Sequence, residues 1–163
     1  DTLGKKVLND ALSIIDPVKI TIIENVLPRY EMLQLINSCD SLISLHRAEG
    51  FGLHLAEAIS MGKSIIATNW SGNTDFMNYK NSFLVNYDLE TLKEDAGPYR
   101  SGNKWAKPKI EDAVRQMKKV VSLLEKNKYY RMNTREIHEN FSAKSIAEKI
   151  ENRVKYIMKS KNF

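Results

Sequence analysis

Two glutamates, Glu49 and Glu57, stand eight positions apart around Gly50-Phe51-Gly52 in the stretch HRAEGFGLHLAEAISMGKSIIATNWSGN, which begins at His46. An ionised carboxylate only accepts hydrogen bonds, so a pair of them suits a ligand rich in hydroxyls, and a cis-diol offers one such group two donors. The glycines let the backbone turn sharply and approach a ligand closely. Behind them LHLAEAISM has helical periodicity, and the first N–H groups of a helix, unpaired within it, attract anions. On the residues alone two readings of this turn are level: a cradle for a diphosphate or sugar hydroxyls, or a tight turn that needs glycine for its geometry. Glu57, one to two turns into the helix among Leu53, Leu55, Ala56, Ala58 and Ile59, either meets ligand hydroxyls or, as is commoner for a helical glutamate, faces solvent. Glu49 either accepts from a sugar or offsets the helix dipole.

Such groups need a scaffold, and the flanking periodicities supply one. VKITIIE, Val18 to Glu24, is β-branched and apolar on both faces, which predicts a buried parallel strand ending in the loop NVLP. RYEMLQLINSC predicts a helix, SLISLH from Ser41 to His46 a strand, LHLAEAISM a helix stopped by Gly62, and SIIAT from Ser64 to Thr68 another buried strand. SGNTDFM reads as a turn with one helical turn, and SFLVNY, Ser82 to Tyr87, as a fourth strand. Strands alternating with helices imply right-handed crossovers and a doubly wound, Rossmann-like parallel sheet. Ligands of such sheets lie beyond the carboxyl ends of the strands, here NVLP, HRAEGFG, TNWSGN and NYDLE. Leu89 to Pro108 carries Pro and Gly punctuation without a period and reads as a long loop. Ile110 to Lys126 is a strong helix with Ala113, Val114, Met117, Val120, Val121 and Leu124 on one stripe, and SAKSIAEKIENRVKYIM is a closing helix with Ser142 as its cap.

The totals narrow the function classes. A chain of 163 residues fits one domain, 1–163, and its one cysteine, Cys39, excludes an internal disulfide and a cysteine-rich zinc site. A reducing compartment fits, and the missing initiator methionine and leader suggest a cytosolic piece of a longer chain. The +5 charge suits anionic phosphates, polyanions or an acidic membrane surface and selects none of them. Nucleic acid is disfavoured, because Phe51, Trp70 and Tyr87 sit at strand ends rather than interleaved with Arg and Lys on one surface. No GxGxxG follows a strand, which argues against a dinucleotide-binding domain.

The string EGFGLHLAE, with SCDSLISLHR before it and AISMGKSIIATNWSGN after it, resembles the E-x7-E region of the retaining glycosyltransferases of family 4, whose fold is GT-B. LPRYEMLQLINSCD upstream is similar to the same family, and SFLVNY, GPY and KWAKPKIEDAVRQM resemble a bacterial polysaccharide-assembly branch of it. The resemblance implies the C-terminal, donor-binding half of a GT-B enzyme that transfers a sugar from a nucleotide diphosphate sugar to a growing glycan with retained configuration. It gives Glu49 the donor sugar and the catalytic role, Glu57 the ribose hydroxyls, the Gly50, Phe51 and Gly52 amides the sugar and diphosphate, and Val26 and Leu27 the nucleobase. Asn73 would lie near the phosphates by looser analogy, and Arg47 either adds phosphate charge or forms an exposed salt bridge. For His46 a structural role is favoured. The family usually meets the diphosphate with an Arg and a Lys at the start of this domain. DTLGKKVLND holds no convincing match, so the first strand is expected to lie before Asp1. No metal or other cofactor is implied. The expected partners are the nucleotide-sugar, a glycan or lipid-linked acceptor and the N-terminal GT-B domain of the same chain, with a cytoplasmic setting or peripheral association at the inner face of the membrane. The alternatives carried are a GT-B sugar-nucleotide epimerase and a non-catalytic nucleotide- or nucleic-acid-binding module.

Overall fold

The computed structural model describes residues 6, 8–10, 12–14, 20–127 and 131–160. Helix α1 (Arg29–Ser38) leads into strand β1 (Ser41–Ser44), helix α2 (Leu53–Ser60) and strand β2 (Ser64–Thr68). A 3-10 turn (Gly72–Asp75) precedes β3 (Phe83–Val85), β4 (Tyr87–Thr91), β5 (Lys104–Pro108), and helices α3 (Ile110–Lys126), α4 (Arg135–Phe141) and α5 (Ala143–Ser160). Strands β1, β2 and β3 form a parallel sheet in that order, with Ile43 opposite Ile66 and Ile66 opposite Phe83. Helices cover it on both faces, a Rossmann-like α/β arrangement.

All of β2 is buried, and successive side chains of a strand point to opposite faces, so its residues feed two cores. Ile65 and Ala67, with Leu84, pack against Leu55 and Ile59 of α2, Phe76, and Ile137 of α4. Ile66, with Phe83 and Val85, packs against Ala113 and Val120 of α3 and against Met132. Burying each large aliphatic side chain stabilises by roughly 1.5 to 3 kcal/mol, so β2 is the member whose loss would open both cores. The stripe read on α3 is only partly covered: Ala113 and Val120 are buried, whereas Val114, Met117 and Val121 are exposed, the latter two beside Ile43 on β1. Ser142 caps α5 as read, its hydroxyl accepting the Ser145 N–H at 3.2 Å. Among the described residues no helix is long and apolar enough to cross a membrane.

Four expectations need correction. Val18 and Lys19 lie outside the described residues, but Ile20–Glu24 form no strand, and Ile22 and Ile23 are half exposed. A strand needs a ladder partner, and this segment pairs with no strand of the sheet among the described residues. The strand from Ser41 ends at Ser44, before His46. The predicted strand at Ser82–Tyr87 breaks at Asn86, because the Asn86 N–H donates to Asp112 Oδ2 at 2.8 Å and its carbonyl accepts from the Lys109 N–H at 2.8 Å. Helix α3 thus takes both main-chain groups that would have continued the strand. Leu89–Pro108 is no plain loop: β4 and β5 form an antiparallel hairpin, held down by buried Leu92 and Ala106. Helix α4 was not foreseen.

Candidate functional site

The carboxyl ends of β1 and β2 lead into two turns that interlock. After β1 the chain runs Leu45-His46-Arg47-Ala48-Glu49 to the glycine turn, and after β2 it runs Asn69-Trp70-Ser71-Gly72 into the 3-10 turn. Glu49 is held by its main chain: its N–H donates to Ser71 Oγ at 3.2 Å, and its carbonyl accepts from the Ser71 hydroxyl at 2.6 Å and the Gly72 N–H at 3.0 Å. Its side chain is half-buried and makes no hydrogen bond or ion pair among the described residues. Gly72 is obligatory here, since a Cβ would overlap the Gly50 carbonyl oxygen. Gly52, which precedes α2, has φ +86 and would bring a Cβ to 3.0 Å from Leu55 and 3.3 Å from Glu49 Cγ. The amides of Gly50 and Phe51 in the turn, and of Leu53 and His54 in the first turn of α2, donate to no acceptor among the described residues; a helix start leaves the latter two unpaired.

His46 braces this arrangement from below. Its Nε2 faces two oxygens, Trp70 O at 3.1 Å and Asn73 Oδ1 at 3.0 Å, so Nε2 carries the hydrogen and Nδ1 accepts from the Ser44 hydroxyl at 3.1 Å. Asn73 is fully buried, and its amide donates to Thr68 O at 3.0 Å and contacts Met77 Sδ at 3.4 Å. The polar atoms of Asn73 are therefore committed to the protein. Arg47 turns away to the hairpin: it pairs with Glu90 at 2.7 Å, its guanidinium lies 4.8 Å from the Trp105 ring centre, and its carbonyl accepts from the Ala106 N–H at 2.8 Å. The Arg47 hydrogen bond, with a smaller one from the Trp105 indole N–H, holds the Glu90 carboxyl below the usual range. This is the salt-bridge alternative for Arg47.

Glu57 sits on α2 with its side chain only 15% exposed. Its Oε1 is buried and meets Arg29 Nη2 at 2.5 Å as an ion pair, and its Oε2 makes no hydrogen bond or ion pair among the described residues. Arg29 is two-thirds exposed and starts α1. A cation there opposes the helix dipole, which is the sequence signal that could have predicted an acidic partner. Just before it, Val26 is 99% exposed and Leu27 is half-buried. On the other flank of Glu57 lies a largely apolar cavity of about 510 Å3, walled by Phe51, Ala56, Ile137 and Phe141. The Phe51 ring packs 4.9 Å from Phe76 and 5.9 Å from Phe141.

The fold thus gathers Glu49, Gly50, Phe51, Gly52, Arg47 and Asn73 at one end of the sheet and brings the α1 head to Glu57. Ser71, Gly72 and Arg29 belong to the arrangement and were not singled out in the sequence. Half-buried carboxylates with unspent acceptor capacity, beside free amides at a helix start, can take a ligand that combines hydroxyls with an anion. Among the described residues no group of three or more His, Cys, Asp or Glu side chains could hold a metal ion.

No curated protein matches the chain. A family model described as glycosyl transferases group 1 matches residues 4–96. That match covers more than half of the 163 residues and takes in both glutamates, the glycine turn and the Ser71–Asn73 turn that holds it; the chain belongs to the group 1 glycosyl transferases.

Proposed function

We propose that the chain is the donor-binding half of a retaining GT-B glycosyltransferase, which passes a sugar from a nucleoside diphosphate sugar to a growing glycan in polysaccharide assembly. The observation that carries this reading is the pair of half-buried carboxylates on either side of a glycine turn: among the described residues the Glu49 side chain has no partner, and the Glu57 carboxylate meets only Arg29, through Oε1, with no bond to Oε2. Each has acceptor capacity that hydroxyls would fill. In this reading Glu57 accepts from both ribose hydroxyls, and the base lies toward Val26 and Leu27 at the head of α1. Glu49 contacts the donor sugar, and the amides from Gly50 into α2 face the diphosphate. As the glycosidic bond breaks, charge develops on the departing phosphate, and donors aimed there bind the transition state more strongly than the ground state. Attack from the face the leaving group vacates retains the configuration. His46 and Asn73 brace the loop without touching the donor, and Arg47 ties it to the hairpin.

The acceptor, a glycan or lipid-linked saccharide, would rest on an N-terminal domain of the same protein, working in the cytoplasm or at the inner face of the membrane. Transfer would need no metal, which activity in EDTA checks. The main test is a calorimetric and thermal-shift panel of GDP, UDP and their sugars on the intact protein, followed by transfer with the product anomer read by NMR. A donor at 100 times its dissociation constant adds about 2.7 kcal/mol of stability. Absence of binding by every nucleotide sugar overturns the proposal, and an inverted product overturns retention.

A further inference from the structure

Ser71 is the non-glycine residue with positive φ among those described, at φ 81 and ψ −157. That region is tolerated essentially only by glycine, yet the position holds a residue whose hydroxyl meets the main chain of Glu49 twice, 22 residues away. A serine hydroxyl has one hydrogen and accepting lone pairs. Here the hydrogen goes to the Glu49 carbonyl at 2.6 Å and a lone pair takes the Glu49 N–H at 3.2 Å. The Gly72 N–H, next in the chain, donates to the same carbonyl at 3.0 Å. The whole peptide environment of Glu49 is therefore set by one strained turn, while the Glu49 carboxylate stays free to meet a ligand.

We infer that Ser71 is a positioning residue for the transfer reaction: its hydroxyl sets the direction of the Glu49 side chain toward the donor sugar, and this is what the backbone strain maintains. The inference rests on the proposed role of Glu49 and adds a residue that acts only through it. Glycine at this position relieves the strain and loses both hydrogen bonds, two effects of similar size and opposite sign, so a merely structural serine would leave the chemistry of a folded Ser71→Gly protein unchanged. The positioning role separates stability from chemistry.

Ser71→Gly in the intact protein decides between them. Expected are a melting temperature near that of wild type, unchanged affinity for the nucleoside diphosphate, loss of the extra affinity that the sugar moiety confers, and a kcat lower by on the order of tenfold to a hundredfold. Ser71→Ala, which removes the hydroxyl but keeps the strain, loses the same activity and also stability. Wild-type kcat in a folded Ser71→Gly protein overturns the inference, as does an equal fall in nucleoside diphosphate affinity and kcat. Hydrogen exchange needs no donor: the Glu49 amide, deprived of its acceptor, exchanges about tenfold faster in Ser71→Gly. Unchanged exchange there overturns the clamp even if no donor is found, whereas faster exchange in an enzyme that turns over no nucleotide sugar defeats only the proposed function.

Discussion

Glu49 and Glu57 lie on the two sides of one glycine turn, and the protein holds them by opposite means. The main chain of Glu49 is fixed by three hydrogen bonds from a neighbouring loop, and its carboxylate has no partner among the described residues. Glu57 is fixed by α2 itself, and its carboxylate is met by one charge, Arg29, carried on an exposed side chain. A loop needs cross-bonds to present a group in one direction, because its own backbone bonds do not define it; a helix supplies that direction through its i to i−4 ladder. The difference teaches where each side is vulnerable. The Glu49 side fails through its loop, and the Glu57 side through its side chain.

The largest effect expected from breaking this comparison is on the helix side. Glu57→Ala should cost on the order of 2 to 4 kcal/mol of nucleoside diphosphate affinity, the worth of two charge-assisted hydrogen bonds, with little change in folding. Glu49→Gln should leave that affinity in place and lower kcat instead. Calorimetry and steady-state kinetics on both variants check the division, and matching defects in the two would dissolve it. Next comes Gly72→Ala, which pushes an atom into the Gly50 carbonyl and should cost about 3 kcal/mol of stability, the upper end for overpacking. Its folded fraction should still bind nucleoside diphosphate while transfer is lost, as denaturant titration with a binding assay would reveal.

Asp112 lies apart from both glutamates and serves as the control, through the Asn86 bond that ends β3. Burial pushes its carboxyl up, but the Asn86 N–H and the Arg115 guanidinium outweigh this and hold it below the ordinary range. A group whose folded pKa is lowered contributes stability that is present above its unfolded value and lost as pH falls through the folded one. That contribution is therefore complete above the ordinary carboxylate range and is lost progressively as pH falls through it to the lowered folded value. Asp112→Asn should cost about 1.5 kcal/mol at neutral pH and flatten the acid limb of a stability profile. The smallest effect is expected from Arg29→Ala. An ion pair with so exposed a partner is worth roughly 0.2 to 1 kcal/mol, so stability should barely move. A large loss would mean that Glu57 depends on Arg29 as Glu49 depends on its loop.

Much of the fold was legible because its signals are local. Ser64–Thr68 has an apolar Ile-Ile-Ala centre with no charge and is the buried middle strand, and Ile110–Lys126 shows its helix by period alone. The hairpin was hidden because a ribbon with most of β4 exposed has no buried alternation to read. Its stability comes instead from Ala106 and Trp105 docking on Arg47, which is far away in sequence. Ile20–Glu24 misled for the converse reason: strand-forming residues pair only when an edge is offered to them in the right place.

The residue types by themselves determined that two carboxylates, a glycine turn and a helix start would stand together, since these depend on spacing within one strand-turn-helix unit. Tertiary structure decided what each group is free to do. Asn73, read as near the phosphates, has its side-chain amide bonded inside the protein, and Arg47, read either as phosphate charge or as an exposed salt bridge, pairs with Glu90 at the surface, whereas Ser71, with no feature in the sequence to mark it, holds Glu49. The physical reason is range: periodicity and propensity act over a turn or two of chain, but a hydroxyl bonded to a peptide 22 residues away exists only once the sheet has set β1 beside β2.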